Sequence, residues 1–180
     1  MVIGRRALLR AAGLSAGSAL VLAGCGGTAA GGDDADTASD IELLGALIEL
    51  EQTAVAGYTV AARRLGGSLG AVARRFRDHE REHVDRLSLA SRRLGGTPPA
   101  PRARLEVRVP RGERAILRHA VGIEDAAIAA YLDALPRLRL PELRATAGSI
   151  FTTEAEHLAV LRDALGEDPA PVAFVDGTAP

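Results

Sequence analysis

A chain of 180 residues is long enough for one compact domain with a real core, and a 3% share of aromatic residues is thin for a β-sandwich. With 47% hydrophobic and 25% charged residues, and Ala, Leu, Arg and Glu abundant, the composition suits an all-α protein. Lysine is absent, so the 22 basic residues are all arginines, dispersed among 23 acids to a net charge of -1; that balance calls for no nucleic-acid partner.

Residues 1–24 read as an address. Arg5 and Arg6 precede an apolar stretch of Leu, Ala, Gly and Val, the layout of a secretory signal and too short to span a bilayer comfortably. The pair Arg5-Arg6, followed by Leu8, Leu9 and Arg10, resembles a twin-arginine signal, which implies passage of the folded protein through the twin-arginine export machinery. Leu22-Ala23-Gly24-Cys25 resembles a bacterial lipobox, which implies acylation of Cys25 and a lipid anchor on the outer face of the cytoplasmic membrane. Cys25 could instead be a spare thiol, but lipidation removes the oddity of a lone cysteine in an exported protein. Loss of Arg5, Arg6 and Arg10 takes the net charge from -1 to -4. Residues 26–37, made of Gly, Ala, Thr and Asp, read as a flexible tether, so 25–39 is taken as lipidated cysteine plus tether.

From Asp40 the apolar residues recur at three- and four-residue steps, predicting four packed helices in a bundle over 40–166. The first spans Asp40 to Leu65, opening with Ser39 and Glu42 in capping-box spacing and closing on Gly66-Gly67. The second spans Ser68 to Leu94 and ends on Gly95-Gly96. Pro98, Pro99, Pro101 and Pro110 forbid a continuous helix over Thr97 to Pro110, which is predicted to be a long extended connection. The third helix spans Arg111 to Leu135, before Pro136; the fourth spans Pro141 to Leu165, before Gly166. The tail, 167–180, is Pro-rich and expected to run over the bundle surface. Two antiparallel hairpins joined by one long crossover follow.

Each inward seam carries polar residues near its middle. Helix one reads Leu44, Leu47, Glu51, Val55, Tyr58, Ala62, and helix two Val72, Phe76, Glu80, His83, Leu87, Ala90. Helix three reads Leu117, Ala120, Glu124, Ile128, Tyr131, Leu135, and helix four Leu143, Ala147, Ile150, Glu154, His157, Leu161. Unpartnered buried carboxylates would cost several kcal/mol each, on the order of the penalty for any buried charge, or would protonate. A pair of divalent metals removes that cost, and four carboxylates with two imidazoles suit iron or manganese better than a thiolate-rich zinc site. Glu80-x-x-His83 and Glu154-x-x-His157 place both ligands of each motif on one helical face. The pattern also repeats: Tyr58 follows Glu51, and Tyr131 follows Glu124, by seven residues, while Glu51 precedes Glu80 by 29 and Glu124 precedes Glu154 by 30. Two copies of a helical hairpin, related by a pseudo-two-fold axis, account for it.

These residues resemble the ferritin-like superfamily, and in particular exported ferritin-like domain proteins related to desiccation-associated proteins; the likeness spans Asp40 to Leu165 and extends to Ala173 to Val175. The resemblance implies a ferritin-like four-helix bundle with Glu51 and Glu124 as terminal carboxylates, Glu80 and Glu154 as bridging ones, and His83 and His157 as imidazole ligands of two iron or manganese ions. Tyr58 and Tyr131 fit either core positions or hydrogen bonds to the ligating carboxylates.

Two competing assignments stand beside this one. His79-Glu80-Arg81-Glu82-His83 also satisfies the H-E-x-x-H pattern of zinc proteases, although that would leave Glu51, Glu124, Glu154 and His157 unexplained. A non-catalytic stress or interaction lipoprotein would keep the bundle and use metal, if at all, for stability. On the di-metal assignment His79 flanks the site, His119 falls on the surface of helix three, and Glu82, Asp125 and Glu156 belong to the charged rim. The expected activity is oxidation of ferrous ion or consumption of oxidants at the cell envelope; an oligomer is compatible with the sequence, and a tethered closed storage cage is disfavoured.

Overall fold

The computed structural model describes residues 30–101 and 107–178, so Arg5, Arg6 and Cys25 lie outside the described residues. Four helices follow in order: α1 (Ala30–Arg64), α2 (Gly67–Arg93), α3 (Glu113–Ala134) and α4 (Pro141–Leu165), with no strand among the described residues. The α1–α2 and α3–α4 pairs are the tightly packed hairpins, α1 meets α3 across the bundle, and of the pairs in contact α2 and α4 touch least. No described helix is long and apolar enough to cross a membrane.

The sequence-derived bounds of α4 coincide with those observed, and those of α2 and α3 differ by at most two residues at either end. At the end of α4 the chain turns at Gly166, whose φ of 74° is left-handed, and Gly166 and Glu167 donate N–H bonds back to Asp163 and Arg162 carbonyls at 2.9 Å each.

The start of α1 is a correction. Residues 30–39 are helical rather than a tether, and the helix is already running at Ser39, so the Ser39/Glu42 capping box does not form. Gly and Asp have poor helix propensity, and this stretch is helical because it continues a helix that is packed from Asp40 onward. Asp36 pairs with Arg139 at 3.5 Å. Asp40 has a different task from opening a helix. Fully buried, its carboxylate accepts the N–H groups of Arg139 at 2.9 Å and Leu140 at 3.3 Å, at the entrance to α4, where Leu140 offers no side-chain cap.

Inside the bundle, two apolar clusters lie above and below a polar layer. One gathers Leu44, Leu47, Ile48, Leu87, Leu138, Leu143 and Ile150; the other Ala61, Phe76, Ile116, Leu117, Leu161 and Leu165. The α1 seam shifts by one residue from the expected one: Ala54 and Ala61 are buried where Val55 and Ala62 are only half-buried. The buried positions 44, 47, 51, 54, 58 and 61 keep a strict alternation of three and four residues, the heptad spacing of a bundle seam. The crossover is pinned to α1, with Gln52 Nε2 donating to the Pro99 carbonyl at 3.2 Å and Arg64 Nη1 to that of Val109 at 2.6 Å.

Two other expectations fail. His119 is half-buried rather than on the surface, with Nε2 enclosed and unpartnered. Asp125 is buried, not on the rim, because α4 and the tail cover it: Arg162, also buried, acts on it electrostatically, and Gly177 packs so closely that a Cβ there would lie 2.5 Å from the Asp125 carbonyl oxygen. Burial raises the Asp125 pKa against the pull of Arg162, and Asp176 in the tail adds to the rise. Glu82 and Glu156 are exposed, as a charged rim requires.

Candidate metal centre

The polar layer is built by one glutamate from each helix and a histidine from α2 and α4. Glu51, Glu80, Glu124 and Glu154 are at most 1% exposed, His157 is 2% and His83 is 8%. An i, i+3 step turns each Glu and His of α2 and α4 to the same face, and the opposite sense of the paired helices brings all six groups to one level.

The six groups divide into two overlapping sets of four. Glu51, Glu80, His83 and Glu154 offer ligand atoms within 4.8 Å of one another, and so do Glu80, Glu124, Glu154 and His157. His83 Nδ1 lies 3.1 Å from Glu80 Oε2, 3.0 Å from Glu154 Oε1 and 3.6 Å from Glu51 Oε2. His157 Nδ1 lies 3.2 Å from Glu80 Oε1, 3.3 Å from Glu154 Oε2 and 3.6 Å from Glu124 Oε1. Glu80 and Glu154 thus give one oxygen to each set, whereas Glu51 and Glu124 each serve one.

Two tyrosines cross the layer. Tyr58 of α1 donates its hydroxyl to Glu124 of α3, and Tyr131 of α3 donates to Glu51 of α1. Burial, and then the charge of the facing carboxylate, push both phenols well above their ordinary pKa, which keeps them as donors.

The electrostatics follow from six ionisable groups sharing a dry space. Burial raises Glu51 to about 8 despite the nearby His83, and burial likewise carries Glu124 well above the usual carboxylate range. Burial acts against ionisation of Glu80 and Glu154 too, but the His157 and His83 imidazoles outweigh it, leaving Glu80 low and Glu154 at about 2. Both imidazoles overcome the burial that favours their neutral form: facing carboxylates push His83 up to about 12 and His157 to about 11. Without metal the layer is therefore two neutral acids, two carboxylates and two imidazolium ions.

The donor set fits a pair of hard or borderline divalent cations. Glu80 Oε1, Glu124 Oε2, both Glu154 oxygens and His157 Nδ1 are buried and, although Glu80, Glu154 and His157 lie at ion-pair distance from one another or from His83, none of these atoms makes an aligned hydrogen bond. Buried polar atoms of that kind call for a missing partner. A thiol is absent from the layer, and an all O/N set is what iron or manganese takes.

The outer side of the site is asymmetric. His79, half-buried, places Nδ1 2.9 Å from Nε2 of His157, and Phe76 stacks on the His157 ring at a centroid distance of 3.8 Å. Burial, then the neighbouring His157, lowers the His79 pKa. Because His79 faces the outer nitrogen of His157 and belongs to neither set of four, it does not share a metal position with His83, as a zinc protease would require. Phe76 was legible as an apolar seam residue, but its ring-on-ring contact with His157 was not.

Comparison with known proteins agrees with this architecture. A family model described as "Ferritin-like domain" matches residues 39–167. Among curated proteins none matches the sequence. A conserved hypothetical protein from Mycobacterium tuberculosis has a similar structure, with a TM-score of 0.67 at 19% identity over 77% of this chain and 99% of that one. Desulfovibrio desulfuricans bacterioferritin, known with its diiron site in different catalytic states, gives 0.68 at 22% identity over 76% and 84% of the two chains. Rhodobacter capsulatus bacterioferritin, solved with a metal-free dinuclear site and heme iron, gives 0.64 at 24% identity over 72% and 84%. With the family model covering residues 39–167, which take in all of α2, α3 and α4 and most of α1, and these structures sharing its arrangement of helices, the chain belongs to the ferritin-like domain family.

Proposed function

We propose that the polar layer binds two iron or manganese ions and reacts with dioxygen or peroxide, oxidising ferrous ion or consuming oxidants. The observation that carries this is the pair of overlapping four-residue sets, each with its own histidine and terminal glutamate and both sharing Glu80 and Glu154. Bound there, the metals would supply redox and Lewis-acid chemistry. The chain itself contributes placement and exclusion. Tyr58 and Tyr131 orient the terminal carboxylates, the two apolar clusters close the layer along the bundle axis, and His79 fixes the ring of His157 through its outer nitrogen.

The test is metal analysis after anaerobic loading with ferrous or manganous ion, beside a Glu80→Ala/Glu154→Ala double variant. About two ions per chain, most of them lost in the variant, followed by turnover with oxygen or peroxide, is the expected result. Two ions without redox turnover would favour a non-catalytic lipoprotein with a structural metal, a role that the depth and tight packing of the layer would also serve. No stoichiometric metal would defeat the redox assignment and leave a non-catalytic lipoprotein that needs no metal in front.

The same proposal places the protein at the cell envelope, exported through Arg5-Arg6 and anchored by lipid on Cys25, on the strength of the sequence alone. Labelling with a radioactive fatty acid that is retained by the parent and absent from Cys25→Ala would support it; unlabelled parent protein would refute it.

A further inference from the structure

The two halves of the layer are alike inside and unlike outside. Between the second half of α2 and the first half of α4 the helices part, leaving a groove of about 950 Å³ that has His83 in its lining. The α2 wall carries the long side chains of Glu82, Arg86 and Arg93, and the α4 wall the short hydroxyls of Thr146, Ser149 and Thr153. Leu89, Leu94, Leu143 and Ile150 line the groove between them, and the α4 side chains are too short to fill the gap, so the seam stays open to water. His157 is not among the groove's lining residues. Its ring is covered by Phe76 and its outer nitrogen is occupied by His79.

We propose that this groove is the entry port of the site for hydrated divalent cations and that it serves only the His83 half. The ion held by Glu51 and His83 then exchanges with solution, while the ion held by Glu124 and His157 is retained. The inference rests on the di-metal assignment above. Hydroxyls, and the carboxylates of Glu82 and Glu142 in the lining, are oxygen donors that can replace waters around a hard cation. Arg86 and Arg93 offset those two acids, so outside His83 the walls carry no net charge to hold a cation along the passage.

The experiment uses the full chain loaded with two manganous ions, mixed with excess EDTA, with protein-bound metal counted over time. Loss is expected in two phases of one ion each, separated by about tenfold or more, since retention differences appear in the off-rate. Ser149→Trp, at an exposed position on one wall, and Leu89→Trp, 40% exposed in the parent on the other, should slow the fast phase without changing the loaded stoichiometry. His79→Ala should speed the slow phase alone. Loss of both ions in one phase, a fast phase that neither tryptophan slows, or a fast phase that His79→Ala accelerates would overturn the inference. Failure to load two ions would instead defeat the di-metal assignment beneath it.

Discussion

Metal loading should expel close to four protons per chain. At neutral pH the metal-free layer holds one proton each on Glu51 and Glu124 and an extra one on each of His83 and His157. Two carboxylates then balance two imidazolium ions. The ligating state needs four carboxylates and two neutral imidazoles, whose four negative charges balance two divalent cations. Passing from one neutral state to the other releases one proton from each of the four groups, and at 1.36 kcal/mol per proton the apparent affinity for the pair should strengthen by about 5 kcal/mol per pH unit below Glu51's value of about 8. Anaerobic titration with manganous ion in a dilute indicator dye, or calorimetry in two buffers of different ionisation enthalpy, counts the protons directly. Glu124→Gln, which has no carboxyl proton to lose, should release one fewer. Release of one proton or none per pair, or binding that tightens toward acid, would refute the charge balance.

Stability of the metal-free chain should move the other way. Raised Glu51, His83 and His157 contribute stability that is full below their ordinary values of 4.5 and 6.5 and is lost as pH rises through about 8 for Glu51 and 11 to 12 for the histidines. Glu154, held at about 2, contributes stability that is present above 4.5 and lost as pH falls through 2. The Tm of metal-free protein is therefore expected to drop between about pH 6 and about pH 9, whereas the loaded protein's rises; a metal-free Tm that climbs over this window contradicts the assignment. Tyr131→Phe leaves a Glu51 oxygen without its buried donor and should cost about 1–3 kcal/mol in urea unfolding, as should Tyr58→Phe at Glu124. Asp40→Ala should cost about 1–2 kcal/mol and speed amide exchange at Arg139 and Leu140, with unchanged exchange there showing that the cap is idle. Gly177→Val meets both a φ of 77° and a Cβ contact of 2.5 Å with the Asp125 carbonyl oxygen; it should release the tail and raise exchange over 125–129, and wild-type protection would show that the tail does not cover α3.

The features that depend on local periodicity were legible in the sequence. Each helix announces itself by its apolar spacing, its glycine or proline punctuation, and a polar break at the same depth of each seam. The positions of Glu51, Glu80, His83, Glu124, Glu154 and His157 could therefore be read before any coordinate. What was not legible is set by contacts distant in the chain. Asp40 looks like the first polar residue of a helix, and only the approach of a segment some hundred residues on gives it its role. Asp125 lies one step off the seam and would be a rim residue had the tail not crossed it. Residues 30–39 have a tether's composition, and their helix extends one that is stabilised elsewhere. The open seam between α2 and α4 depends on how two helices diverge, which no single-helix pattern records.

The crossed tyrosines bind the two hairpins into mutual dependence. Each repeat makes a terminal carboxylate but keeps the phenol that steadies the other's, so neither hairpin holds a finished half-site. A lone ancestral hairpin with the same residues could complete its site only by pairing with a second copy. Fusing the two copies would turn that meeting from a concentration-dependent event into one fixed by the length of the crossover, and would leave each half free to diverge on its outer face, as His79 and the groove beside His83 have done.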